Sequence, residues 1–146
     1  LFVAEFIGAP KMNTFKANLV NEDGKYYVEA FGAKILVDGE KGEELAKRDI
    51  KEQEIILGVR PEHIVLDDKL GAHSIETTLE VNEMMGSELH LHVNTTSNDK
   101  LIARVPTINL TNSQRNSLVF GSKVYITFEG KVMHFFDKDT KENLLK

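Results

Sequence analysis

Alternation of apolar and polar residues dominates this chain, and its period of two residues is that of a half-buried strand. Phe15, Ala17 and Leu19 alternate with Lys16 and Asn18. Asn21-Glu22-Asp23-Gly24 then predicts a reversal, because Asn, Asp and Gly tolerate the backbone angles of a turn. Residues 26–31 are β-prone without a clean period, and residues 34–37 predict a short strand closed by Asp38-Gly39. The unbroken apolar run over 55–59 predicts a strand covered on both faces. Pro61 has no amide hydrogen and ends pairing there, with residues 64–66 resuming it.

The second half is more regular. Leu79 and Val81 alternate with Thr78, Glu80 and Asn82, and Leu89, Leu91 and Val93 alternate with Glu88, His90, His92 and Asn94. Gly86 between the two runs predicts a hairpin. Leu101, Ala103 and Val105 form another run, ended by Pro106. Val124, Ile126 and Phe128 form the next, and Glu129-Gly130-Lys131 turns the chain into residues 132–136. Residues 107–117 are polar and read as a loop.

Two stretches break the β pattern. Residues 42–50 place Glu43 four before Lys47 and Glu44 four before Arg48, which favours a short exposed helix; the thin apolar content also allows a charged loop. Residues 1–8 pair Phe2 with Phe6 and Val3 with Ile7 before Gly8, and read as the last turns of a helix that starts upstream. Short strands with turn signals at roughly 8–12 residue spacing predict a mainly β, small-barrel fold rather than alternating strands and helices. The division expected is a helix remnant over 1–8 and a β region over 9–146. That region has two interleaved halves, about 9–66 and 75–146.

Composition narrows the function classes. With 146 residues the chain is one domain or two very small ones. Eighteen Lys and Arg against 23 Asp and Glu give a net charge of −5, which argues against nucleic acid as a partner. There is no cysteine, so disulfides, thiolate metal sites and Cys nucleophiles are excluded. No apolar stretch approaches the roughly 18–20 residues of a membrane-spanning helix.

Candidate chemistry is sparse. His90 and His92 share one face of a strand and could share a metal, but no third ligand stands at motif spacing; two exposed or interface histidines is the plainer reading. Arg60-Pro61-Glu62-His63 gathers a cation, an anion and an imidazole, yet no Gly-x-Ser-x-Gly or Cys supplies a nucleophile, so a structural role fits better than catalysis. No phosphate-cradling glycine loop is present, and no ATP site is expected within these residues. Residues 38–54 hold seven acids and four bases, the pattern of a solvated face. Tyr26, Tyr27 and Phe31 could form a stacking platform for single strands, but without a basic groove they read as core. Phe135 and Phe136 are adjacent and cannot both face one core.

Four stretches in register carry a resemblance. FIGAPKMN over 6–13, LGVRPEHI over 57–64, EVNEMMGSELHLHV over 80–93 and HFFDKDTKENL over 134–144 resemble segments of the ATPase subunits of maltose-type carbohydrate ABC importers. What they resemble is the C-terminal regulatory, TOBE-containing region of those subunits, which implies OB-like β-barrels and no chemistry of its own. ATP and Mg would belong to a parent chain. The partners implied are a second copy of the ATPase subunit, the membrane subunits reached through a domain absent here, and a regulatory protein; the location implied is cytoplasmic, peripheral to the inner face of the cell membrane. Gly58, Arg60, Pro61 and Glu62 match the family's LG-x-RPE segment and are the expected regulatory or partner contact. Lys141-Glu142-Asn143 departs from the pattern, in which Gly commonly follows the Thr. The alternative is a TOBE domain that binds an oxyanion or another small ligand. The charge of −5 and the lack of a Gly/Ser/Lys cluster weigh against it.

Overall fold

A computed structural model describes residues 11–67, 71 and 73–145. The helix expected over 1–8 lies outside them, as does part of the joint near 67–74. Ten strands run in chain order: β1 (Asn13–Glu22), β2 (Lys25–Ala30), β3 (Ala33–Leu36), β4 (Gln53–Val59), β5 (Val65–Asp67), β6 (Ile75–Met85), β7 (Glu88–Thr95), β8 (Lys100–Pro106), β9 (Lys123–Thr127) and β10 (His134–Asp137). Beside the strands the described residues form two helices, α1 (Gly39–Lys47) and α2 (Asn112–Ser117), and three single 3-10 turns, at Pro61–His63, Thr107–Asn109 and Gly130–Val132. The fold is mainly β, as the pattern predicts.

The strands form two five-stranded sheets, one in the order β10-β4-β1-β2-β3 and the other β5-β9-β6-β7-β8. Every pairing is antiparallel. The sheets are not consecutive in sequence, because β10 returns to the first sheet after β5 to β9 have built the second. The inward-facing residues of both sheets meet in one apolar core that includes Phe15, Leu19, Leu57, Leu79, Leu91, Ile126 and Phe135. That one core forms because each sheet has only one apolar face and can hide it only against the other.

A side chain welds the sheets at one edge. Asn13 is buried and acts as a short piece of backbone: its Nδ2 donates to the Ile102 carbonyl at 2.8 Å, and its Oδ1 accepts from the Ile102 N–H at 2.8 Å. Ile102 lies on β8, the edge strand of the second sheet, so the amide satisfies groups that no neighbouring strand reaches. At the opposite side the Gly130 N–H donates to Asp38 Oδ1 at 2.8 Å, and Lys41 Nζ donates to the Met133 carbonyl at 2.6 Å, tying α1 to the approach of β10.

Residues 39–47 form the short helix that the charge spacing favours; its one fully buried residue is Leu45, and Arg48 Nε donates to Glu44 Oε1 at 2.9 Å. Other local outcomes refine or depart from the pattern. The polar stretch 107–117 is not a loop but a 3-10 turn followed by α2. Helix α2 starts at a capping box: Thr111 Oγ1 accepts from the Gln114 N–H and Gln114 Oε1 accepts from the Thr111 N–H. Val81 does not share the inward face of Leu79, because a bulge between them shifts the register and leaves Val81 48% exposed. The three aromatic residues near the first turn form no platform. Tyr26 is buried with its hydroxyl donating to the Ile50 carbonyl, Tyr27 lies under Lys34 Nζ, and Phe31 packs on Phe15 at 5.1 Å. Phe135 and Phe136 are both buried, on opposite faces of β10: Phe135 enters the core, whereas Phe136 stacks on His134.

The C-terminal departure also has a structural reading. Asp137 Oδ1 accepts from the Asp139 and Thr140 N–H groups, Lys141 then takes φ +66°, and the Leu144 N–H donates to the Phe135 carbonyl. A positive φ costs a side-chain-bearing residue about 1–2 kcal/mol, so Lys141 occupies a site suited to glycine. Glycine loses more chain freedom on folding, which returns roughly half of that gain. Lys141→Gly is therefore expected to raise stability by about 0.5–1 kcal/mol in urea denaturation. Asn13→Ala leaves the Ile102 N–H and carbonyl without their partner and is expected to cost about 1–3 kcal/mol in the same measurement.

Candidate functional site

The LGVRPEHI stretch lies where the two sheets meet. Residues up to Val59 finish β4, the 3-10 turn at Pro61–His63 carries the chain across, and β5 begins the second sheet. Of the four expected contact residues, Gly58 and Pro61 are buried, Arg60 is half-buried and Glu62 is exposed. Only Arg60 and Glu62 therefore offer side chains to another molecule, while Gly58 and Pro61 shape the corner.

Gly58 sits between β1 and β10, opposite Thr14 on one side and His134 on the other. A Cβ there would collide with Met12 Sδ and come within 2.9 Å of Phe136 Cε2. The missing side chain is what lets Met12 and Phe136 close over the strand. Pro61 opens the following turn, where its absent N–H costs nothing, and the His63 N–H donates to the Arg60 carbonyl at 2.9 Å.

Glu62 faces the second sheet. Its Oε1 lies 3.8 Å from Arg104 Nη1, while Arg104 donates through Nη2 and Nε to Glu88 Oε1 at 2.8 and 3.1 Å. Glu88 also meets His90 Nε2 at 3.1 Å. That bond and the Arg104 guanidinium hold the Glu88 carboxyl below its usual range. The second histidine of the strand pair goes elsewhere: His92 Nε2 contacts Glu83 Oε1 at 2.5 Å. His90 and His92 thus lie on one face of β7 yet serve different carboxylates. Among the described residues no group of three metal-ligating side chains converges.

The other side of the corner is basic. His134 is opposite Gly58 in the β4–β10 ladder, so Arg60 lies diagonally across from it on the same sheet face. Burial, and after it the charges of Lys41, Arg60 and His63, push the His134 imidazole below its usual value. Burial likewise lowers the Lys41 ammonium, whose Nζ is turned to the Met133 carbonyl. This grouping draws on α1, the Arg60–His63 turn and β10, three stretches far apart in sequence; Arg60 and His63 carried a signal through LGVRPEHI and His134 through HFFDKDTKENL, whereas Lys41 carried none.

The comparisons with known proteins fall on the same corner. Residues 8–64 match the MalK OB fold domain and residues 57–136 match the TOBE domain; the two matches overlap over 57–64. An uncharacterized ABC transporter ATP-binding protein, YurJ of Bacillus subtilis, is 30% identical over 145 residues, 97% of this chain and 37% of its own. The oligosaccharides import ATP-binding protein MsmX of the same organism is 30% identical over 97% of this chain and 36% of its own. The multiple sugar-binding transport ATP-binding protein MsmK of Streptococcus mutans is 31% identical over 96% and 35%. The chain thus spans little more than a third of these relatives. A crystal structure of the cytoplasmic molybdate-binding protein ModG superposes with a TM-score of 0.57 at 13% identity, over 88% of this chain and 96% of that one, a likeness of fold.

The half-buried, cation-facing imidazole of His134 makes stability depend on pH. His134 is lowered from 6.5 in the folded chain, so the unfolded chain binds its proton more readily and stability falls as pH drops through that value. Glu88 and Asp137 are lowered from 4.5 and 3.8, so the stability they add is lost only at still lower pH. Urea denaturation at about pH 7.5 and about pH 5.5 is expected to show a smaller loss of stability in His134→Gln than in the wild-type chain.

Proposed function

The chain belongs to the TOBE domain family and carries a MalK-type OB fold domain, and from that premise we propose that it is the regulatory and dimerisation part of the ATP-binding subunit of a carbohydrate-importing ABC transporter. The observation that carries the reading is alignment over nearly the whole chain with proteins named as import ATP-binding proteins for oligosaccharides and multiple sugars. In this reading ATP and Mg are handled by a nucleotide-binding domain outside these 146 residues, which hold no Gly-x-x-x-x-Gly-Lys-Ser/Thr loop. The partners are a second copy of the subunit, the membrane subunits met through that other domain, and a regulatory protein. The place of work is the cytoplasmic face of the membrane.

The physical role is that of a rigid handle. Two sheets on one core leave little internal freedom. Contact between two handles keeps the attached ATPase domains at high effective concentration while those domains open and close. A protein that binds the handle in one state of the cycle shifts the cycle by its differential affinity. The overlap of the two family matches at residues 57–64 supports the corner as the contact, with Arg60 and Glu62 presented by Gly58 and Pro61. The return of β10 to the first sheet supports treating the halves near 9–66 and 75–146 as one interleaved unit.

Oxyanion binding is the weaker reading. A cleft of about 460 Å³ is lined by Ser113, Gln114, Ser117 and Tyr125, with Lys123 and Asp67. Its one ammonium already lies 3.6 Å from Glu76, and the Asp67 carboxylate opposes a second anion. Uptake of labelled carbohydrate by cells whose subunit lacks these residues is expected to fall by about tenfold or more, or to lose its regulation. Undiminished and normally regulated uptake overturns the proposal.

A further inference from the structure

Several cations of this chain have a carboxylate beside them. Lys34 pairs with Glu22, Arg48 with Glu44, Lys51 with Asp49, Lys100 with Glu80, Arg104 with Glu88, Lys123 with Glu76 and Lys138 with Glu54. Among the described residues the corner beyond Gly58 has no such carboxylate. Arg60, His63 and His134 make no side-chain hydrogen bond or ion pair among the described residues, and Lys41 spends its ammonium on a backbone carbonyl. Together they gather on a protein of net charge −5.

The geometry explains how the cluster arises. The β4–β10 register sets His134 and Arg60 diagonally on one face. The 3-10 turn after Arg60 folds back onto its carbonyl and brings His63 round. Helix α1 is bound to the residue before His134 through Lys41. The nearest carboxylate in sequence, Glu62, points to Arg104 on the second sheet instead. The charges of Lys41, Arg60 and His63 all act on His134, so they share one neighbourhood. Burial and the neighbouring positive charge of Lys41 and Arg60 hold the half-buried His134 ring toward its neutral form, and an approaching anion relieves that cost.

We propose that the corner formed by Lys41, Arg60, His63 and His134 is a docking surface for an acidic segment of a partner protein, with carboxylates laid across the three chain stretches that supply these basic groups. This rests on the reading of the corner as a contact surface and adds the chemistry of what it contacts. A protein segment fits better than a small anion because the basic groups come from a helix, a turn and a strand edge, and none of the four lines the cleft of about 460 Å³. A second copy fits less well: a two-fold contact centred on this corner would set the cluster against itself.

The test is fluorescence anisotropy of a labelled octaglutamate peptide titrated with the wild-type chain at low salt. Binding that weakens at least tenfold in Arg60→Gln/His63→Gln, and less than twofold in the charge-matched control Lys16→Gln, supports the proposal. Equal loss in the control means a diffuse field and overturns it. Molybdate or inorganic phosphate binding with the same Arg60 dependence, in the absence of peptide binding, overturns it in favour of a small oxyanion. Self-association of the wild-type chain that the double variant abolishes overturns it in favour of a second copy. Unchanged thermal melts of the variants establish that the loss is local. Absent peptide binding, together with uptake that still requires these residues in the parent subunit, rejects the acidic partner alone. Peptide binding with uptake indifferent to these residues rejects the transporter reading alone.

Discussion

Everything at the corner depends on one close approach: β10 lies against β4 where β4 has no side chain on its outer face. Gly58 lets Met12 and Phe136 meet over the strand, and that fixes His134 opposite it. Phe135 then reaches the core from the other face of β10. The same pairing sets the direction of Arg60, since the residue two beyond Gly58 shares its face. A bulkier residue at 58 would have to shift the Phe136 ring and with it the register that assembles the basic cluster.

Around that approach the molecule uses side chains as surrogate backbone. Asn13 completes the edge of β8 with two reciprocal bonds, Asp38 caps the Gly130 N–H, and Thr77 donates to the Val124 carbonyl within the core. Such bonds matter less for their net strength than for the groups they keep from being stranded away from water. The Asn13 pair also ties the first sheet to the second.

Much of this was legible in the residues. Strands with clean alternation, such as 13–19, 88–94 and 101–105, declare themselves because a sheet with one buried face needs a period of two. Helix α2 was not legible from periodicity, for it has no apolar face; its signal was the Thr111–Gln114 capping pair, which a scan for hydrophobic pattern passes over. Val81 misled because a single extra residue reverses every later side chain, and nothing in the local composition marks the bulge. The corner was legible only in half. Arg60, Glu62 and His134 stood out through their motifs, whereas the ladder that sets His134 opposite Gly58 and the bond from Lys41 to the Met133 carbonyl are long-range choices that no local pattern encodes.

The late return of β10 has a consequence for biosynthesis. Strand β4 leaves the ribosome long before residues 134–137 do, and until they arrive one side of it has no pairing partner. During that interval its apolar run over Ile55, Ile56 and Leu57 is an open template for another nascent chain. Slow synthesis of the second sheet therefore lengthens the time at risk, and a chaperone that shields this run during translation would protect yield without touching the finished molecule.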